Sequence, residues 1–535
     1  MSLQFITGNS GNGKTKYLFN RIVKEAKANP RDNYLVIVPE QFTMQTQRQL
    51  VDLSENKAIM NIDVLSFKRL AYRVFDELGI TNLTVLEETG KNLVLRKLAA
   101  QEADKLGIIG RNLNRIGYIS EVKSLLSELV QYNISPEELG RYIASGRLSD
   151  TLSDKLKDVL VLYEAFEKFM QDKYITAEEI LNVLSNVAEE SAILRNSVIA
   201  FDEFTGFTPI QNQLIKKLFV ISKKIYVTLT IDCREDIFKS RGMQELFDMP
   251  KRTVKSLTEM AAFYGIEVEE PIILDKNYRL AENEELSFME QQLFRKRRCS
   301  FKKVPKHIHI DCLRDPKQEL TKIARRINEL VRNENLRYRD IAIVTGDVNI
   351  YAGYVREIFD KYNIPYFIDA TQEILFHPFI EFIRSIPDIA AQNFSADAVF
   401  RFLRCGFSEL LDSEIDVLEN YVLACGVRGK SAWDKKWVRL PKHKAGYDIE
   451  LLNQSREYIM ELLKPVYQVF SDKKSTVKDY VLAIYKLIVL LDIPDKLAKK
   501  EQALLDAGDQ TASKEYGQIY KIVMQLFEKY VAVLG

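Results

Sequence analysis

No apolar run in these 535 residues approaches the roughly 20 that a membrane-crossing helix needs. The start also lacks the basic flank and apolar stretch of a signal peptide. A cytoplasmic location and no membrane partner follow as the default. Cysteine is sparse and scattered: Cys233, Cys299, Cys312, Cys405 and Cys425 include no C-x-x-C pair. That spacing argues against a zinc site, a cluster site and a disulfide framework, and leaves buried thiols. His307 and His309 alternate in the strand-like "HIHIDC", which by itself is too little for a metal site. Charge of one sign is lacking as well, the net being +1, so any nucleic-acid contact must come from local grooves. What is present, 46% hydrophobic and 28% charged residues, suits a folded globular chain long enough for several domains.

The strongest local signal comes first. Residues 7–17 read "TGNSGNGKTKY", in which Gly8, Gly13, Lys14 and Thr15 complete the G-x-x-x-x-G-K-T pattern of a phosphate-binding loop. The apolar "LQFIT" precedes it at strand length, and Tyr17, Leu18, Ile22, Val23 and Ala26 follow at helical spacing. In that context Gly8, Asn9, Ser10, Gly11, Asn12 and Gly13 would wrap a phosphate with backbone amides, helped by the helix N-terminus. Lys14 would reach the β- and γ-phosphates of ATP, and the Thr15 hydroxyl would bind Mg²⁺.

Along the chain, "NYLVIVPE" and "AIMNIDVLSF" continue a strand–helix alternation that predicts a parallel sheet. From about 81 to 190 the strand signal gives way to amphipathic helices, with a capping box at Ser135 and Glu138 around Pro136. Strands resume in "NSVIAFDEF" and "KKIYVTLTID". A basic stretch, Arg295 to Lys306, leads to a second α/β series in "HIHIDC", "DIAIVTGD" and "PYFID", and beyond about 395 the pattern is helical again. The expectation is an α/β protein of two parallel-sheet domains. The first takes residues 1–80 and 191–300 around a helical insertion at 81–190. The second starts at 301–395 and carries its own helical insertion at 396–535, cut short.

Asp202 and Glu203 end the apolar strand "SVIAF", where a carboxylate pair can hold Mg²⁺ (Asp202) and serve as general base toward the γ-phosphate (Glu203). In "DEFTGFTPIQ" the spacing of Asp202, Glu203 and Gln211 resembles motif II of UvrD-like helicases, which makes Gln211 a nucleotide-contact candidate. In "LDKNYRL", Leu274, Asn277, Tyr278 and Arg279 resemble that superfamily's L-x-x-N-Y-R motif, whose arginine contacts the γ-phosphate. "DVLSFKRLAYRVF" resembles a DNA-holding segment, with Ser66, Phe67 and Arg69 as candidates, although Phe67 reads equally as core. Taken in order, "GNSGNGKT", "VPEQFTMQTQ", "DEFTGFTPIQ", "RYRDIAIVTGD" and "YNIPYFIDA" resemble the AddB family of AddAB-type ATP-dependent helicase/deoxyribonucleases. The resemblance implies RecA-like domains, an AddA-like helicase/nuclease partner in a heterodimer, and action on double-stranded DNA ends and emerging single-stranded DNA, with Chi recognition, in recombinational repair. It also implies a C-terminal nuclease domain with an iron–sulfur cluster, which this chain stops short of.

Departures from an active motor are visible too. Seven residues before Gly8 leave no room for an adenine-recognition motif, Thr205 stands where motif II has glutamine, and "IDCREDIF" replaces Gly-Asp-x-x-Gln. These favour ATP binding over unwinding. A self-sufficient helicase, a small-molecule P-loop kinase and a scaffold binding neither ligand are the rival readings. Trp433 and Trp437, four residues apart, suit a half-buried helix face better than base stacking.

Overall fold

A computed structural model describes residues 1–80, 85–108, 110, 117–146, 148–170, 174–295, 299–370, 373–441 and 447–535. The chain divides into two compact units, Met1–His309 and Ile310–Gly535.

Among the described residues, nine strands lie in the first unit: β1 Ser2–Gly8, β2 Tyr34–Ile37, β3 Ile62–Leu65, β4 Val85–Leu86, β5 Ile175–Thr176, β6 Val198–Phe201, β7 Lys224–Thr230, β8 Glu267–Val268 and β9 Ile272–Leu274. Seven of them form one parallel sheet in the order β3-β2-β6-β7-β1-β8, with β9 following β8 along the same edge of β1. Strand residues alternate between two cores, as period-2 geometry demands. Leu3, Phe5, Ile199, Phe201, Ile225 and Val227 face one helical layer that includes helices Phe67–Leu78 and Pro209–Ile221. Ile6, Val36, Val198, Ala200 and Tyr226 face the other, where helix Lys14–Ala28 packs through Leu18, Phe19 and Ile22. A parallel sheet covered on both faces explains why β1, β2 and β6 read as continuous apolar runs.

The insertion between β3 and β6 is helical, as its 3.6-residue periodicity implies, and the short pair β4–β5 ties its two ends. Helix Tyr118–Gln131 buries Ile119, Val122, Leu126 and Leu129. Helix Pro136–Ala144 opens on the Ser135/Glu138 capping box.

The second unit differs from expectation in one respect. Helices Pro316–Asn333 and Val348–Lys361 form and pack together, but "DIAIVTGD" and "PYFID" belong to no ladder, and neither does "HIHIDC" at the division between the units. Ile310, Val344 and Phe367 are almost wholly exposed. An apolar alternating run specifies a surface that can pair, but a strand exists only when another strand accepts its hydrogen bonds.

From Pro378 onward the unit is helical around one large aromatic and aliphatic core. Trp433 and Trp437 belong to that core: both are buried, their rings meet edge-on at 5.3 Å, and the Trp437 indole N–H donates to the Ala432 carbonyl at 3.0 Å. Neither ring offers a face to a base. These are the only two tryptophans of the chain, so indole fluorescence reports the second unit alone. Trp433→Ala should destabilise that unit by about 3–5 kcal/mol through the cavity it leaves. The measurement is urea unfolding followed by Trp437 emission; added single-stranded DNA should leave the parent's emission unquenched.

Candidate functional site

The ends of β1, β6 and β7 open on one edge of the sheet, the edge where ligands bind in open parallel sheets. A cleft of 640 Å³ lies there, walled by Lys14, Thr15, Asp202, Glu203, Tyr278 and Arg279 among others. Residues as far apart in the chain as Ser10 and Arg279 thus share one space.

The loop between β1 and helix Lys14–Ala28 is held from below and from the side. Asn9 and Asn12 are buried. The Asn12 amide donates to the Leu274 carbonyl at 2.5 Å. Asn277 donates to the Ser10 carbonyl at 2.9 Å, and the backbone N–H groups of Tyr278 and Arg279 both donate to the Gly11 carbonyl, at 3.0 and 3.3 Å. The register of β9 on β1 makes this possible: Gly8 lies opposite Leu274, so the chain leaving β9 runs directly onto the loop. Glycine is required at both points of contact. A Cβ on Gly8 would sit 2.5 Å from the Leu274 carbonyl oxygen, and one on Gly11, whose φ is +88°, would meet Asn277 Oδ1 at 2.8 Å and Arg279 Cβ at 2.9 Å.

Lys14 folds back and donates to the carbonyls of Gly8 and Asn9, at 3.1 and 3.0 Å. Burial lowers its pKa below the usual lysine range, against the pull of Glu203 and Asp202. The Thr15 hydroxyl lies 3.3 Å from Asp202 Oδ1 and 3.4 Å from Glu203 Oε1. Asp202 is almost fully buried at the end of β6 and accepts a second, short bond from the Thr228 hydroxyl on the neighbouring strand β7. Its other oxygen, Oδ2, has no hydrogen-bond partner among the described residues. Burial raises the Asp202 pKa; the Thr228 bond opposes that shift and the Glu203 charge adds to it. Glu203 holds a left-handed backbone conformation, φ 64°, which is uncommon for a residue with a side chain, and its carboxylate lies beside the Thr15 hydroxyl. A glycine-built amide loop, an ammonium, a guanidinium and a buried carboxylate with one free oxygen fit a triphosphate with its divalent cation.

Other candidates lie elsewhere. Gln211 is not among the residues lining the cleft. It is the third residue of helix Pro209–Ile221, and its side-chain carbonyl accepts from Thr208 N–H at 2.9 Å while Thr208 Oγ1 accepts in return from Gln211 N–H, a reciprocal cap. The T-x-x-Q spacing already encoded that cap. Ser66 caps helix Phe67–Leu78. Phe67 is buried among Phe201, Phe204 and Phe207, with centroids 5.6–6.3 Å away, so its ring has no free face. Arg69 remains exposed. In the basic stretch, Arg295 pairs with Asp232 at 3.0 Å and lies over the Phe247 ring at 4.7 Å, and Lys303 pairs with Glu284; Lys296, Arg297 and Arg298 are outside the described residues. Thr228 was missed. Its signal is a hydroxyl on an otherwise apolar buried strand, "KIYVTLT".

Residues 5–290 match the family described as "ADDB, N-terminal". Over its full length the chain is 38% identical to a protein of Lachnoclostridium phytofermentans, 31% to one of Clostridium acetobutylicum and 32% to one of Caldanaerobacter subterraneus. All three are named as the B component of an ATP-dependent helicase/deoxyribonuclease, and the chain spans 47% of each.

Because Asp202 binds its proton more tightly in the folded chain than in the unfolded one, its ionised form costs stability at pH 7. That cost fades as the pH falls toward the ordinary aspartate range. Asp202→Asn should therefore melt at a higher temperature than the parent at pH 7, with the gap closing on acidification. Thermal melts of variant and parent across pH measure the gap.

Proposed function

The chain belongs to the ADDB N-terminal family, and on that footing we propose that it is the motor-like part of the AddB-type component of an ATP-dependent helicase/deoxyribonuclease. It binds ATP and Mg²⁺ in the cleft between the glycine loop and Arg279. Lys14 and the loop amides take the phosphates, Thr15 and Asp202 take the cation, and Arg279 takes the γ-phosphate. Glu203 serves as general base for water attacking the γ-phosphate. The observation that carries this reading is the bonding of Tyr278 and Arg279 to Gly11, which sets a guanidinium against the loop that holds Lys14.

Turnover by this site is slow in the proposal. Thr205 stands where a glutamine would sense the nucleotide, and its carbonyl is engaged by Thr253 at 3.1 Å. Asp232, at the head of the segment that replaces Gly-Asp-x-x-Gln, is buried and clamped by Arg234 and Arg295. Burial alone would raise its pKa, but the two arginines hold it down at about 2, so the carboxylate is a fixed structural anion. ATP therefore serves to order this component, while the unwinding motor is an AddA-like partner, as suggested by relatives named as one component of a larger enzyme.

The substrate class is double-stranded DNA ends, with single-stranded DNA, Chi included, held on this degenerate helicase scaffold. Arg69 is a candidate phosphate contact. The nuclease chemistry and its iron–sulfur cluster are assigned to sequence outside this chain, in keeping with relatives about twice as long. The cell compartment is the cytoplasm.

Lys14→Ala removes a charge-assisted phosphate contact and should weaken ATP binding about 10- to 100-fold. Calorimetric titration with ATP measures it; equal affinity in variant and parent contradicts the assignment.

A further inference from the structure

One buried polar network runs from the side chain of Asn9 in the glycine loop to helix Glu284–Gln292. Asn9 points away from the cleft, and both ends of its side-chain amide are engaged. Its Oδ1 accepts from the Cys233 backbone N–H at 2.9 Å, and its Nδ2 donates to Glu290 Oε1 at 2.9 Å. Glu290 lies 3.8 Å from Arg295, which is tied to Asp232 at 3.0 Å. Arg234, the second cation on Asp232, donates to the Gln291 carbonyl at 3.0 Å. Asn9 and Asp232 are buried, and the Arg295 and Glu290 side chains are nearly so.

Helix Glu284–Gln292 therefore rests on the loop through Glu290 and on the end of β7 through Gln291. Its first turn holds something else. Glu285 accepts from the backbone N–H groups of Lys306 and His307, at 2.7 and 2.8 Å, and Glu284 pairs with Lys303. Residues 303–307 immediately precede the point where the first unit ends. Glu285 and Glu290 are separated by about 7.5 Å along the helix axis, so one short rigid rod has the nucleotide loop at one end and the terminal segment of the unit at the other.

We propose that this helix couples the two. Occupancy of the glycine loop is transmitted through Asn9 and Glu290 to the helix, and through Glu285 to residues 303–307. The inference rests on the nucleotide reading given above and adds to it a regulatory output of the same site. The mechanical reason lies in Lys14, whose ammonium donates to the Asn9 carbonyl. A phosphate that draws Lys14 away changes the hydrogen bonding of the peptide whose side chain bridges Cys233 and Glu290. A side chain fixed at both ends cannot absorb that change by rotating, so it passes to its partners. The replacement of Gly-Asp-x-x-Gln by "IDCREDIF" acquires a purpose in this scheme: Cys233, Asp232 and Arg234 anchor the network.

Hydrogen–deuterium exchange of the full chain, with and without Mg²⁺ and ATP, tests the coupling, with nucleotide affinity measured in parallel. ATP should slow exchange of the 303–309 amides at least about 5-fold, the lower end of ordinary coupling between sites. Glu285→Ala, which cuts the far link, and Glu290→Ala, which cuts the near one, should bind ATP at least as tightly as the parent and lose the response at 303–309. Should Glu290→Ala unfold, Glu290→Gln keeps an acceptor for Asn9 without the charge facing Arg295, and should respond more weakly than the parent. A parent that binds ATP with no change at 303–309, or a full response in Glu285→Ala, overturns the coupling alone. A parent that binds no ATP overturns the nucleotide reading and the coupling together.

Discussion

The site depends on the pairing of a three-residue strand. β9 lies beside the end of β1 with Leu274 opposite Gly8, and from that register the chain has one short path, across the glycine loop. Asn12 then reaches the Leu274 carbonyl, Asn277 reaches Ser10, and the amides of Tyr278 and Arg279 reach Gly11. A slip of one residue would turn the side chains of β9 to the opposite face of the sheet and displace the segment that follows it from the loop. The absence of a side chain at Gly8 and Gly11 is what permits the approach. A guanidinium and a loop lysine distant in sequence are brought together by backbone hydrogen bonds rather than by their own charges, which repel.

The legible parts of this molecule were those whose determinants are local. The glycine loop, the acidic pair after β6, the capping box at Ser135 and the helical periodicity of the insertion each lie within a few turns of chain, and each forms. Gln211 shows local information outweighed by a family spacing: the T-x-x-Q cap was present in the sequence and describes where its side chain is engaged. Phe67 shows the limit of the same approach, since a phenylalanine at a helix start carries no mark of whether three other rings will enclose it. Illegible were the long-range partners, such as Thr228 for Asp202 and Glu290 for Asn9, because no pattern links residues whose contact is created by sheet order. The apolar runs of the second unit belong here too: the propensity of "DIAIVTGD" for a strand is real, but a ladder is a property of pairs.

Stability and chemistry are in opposition at the cleft. Asp202 is buried with one oxygen unpartnered, Lys14 is held below its ordinary pKa, and Glu203 sits in a left-handed conformation. Each costs free energy in the folded chain, and in the proposed reading a triphosphate with its cation offsets the cost at Lys14 and Asp202. Asp232, one strand end away, is the contrast: a buried carboxylate fully paired, with its charge directed to architecture. In the proposed reading the cleft keeps its grip on nucleotide while the residues that would convert binding into movement are tied into the fold.

The most direct test of the docked segment compares ATP with ADP in Arg279→Ala. A guanidinium facing the γ-phosphate contributes a charge-assisted contact to ATP alone. ATP affinity should fall about 10- to 100-fold while ADP affinity stays near the parent's. Equal losses for both nucleotides, or no loss for either, would contradict the placement of Arg279 against the phosphate loop.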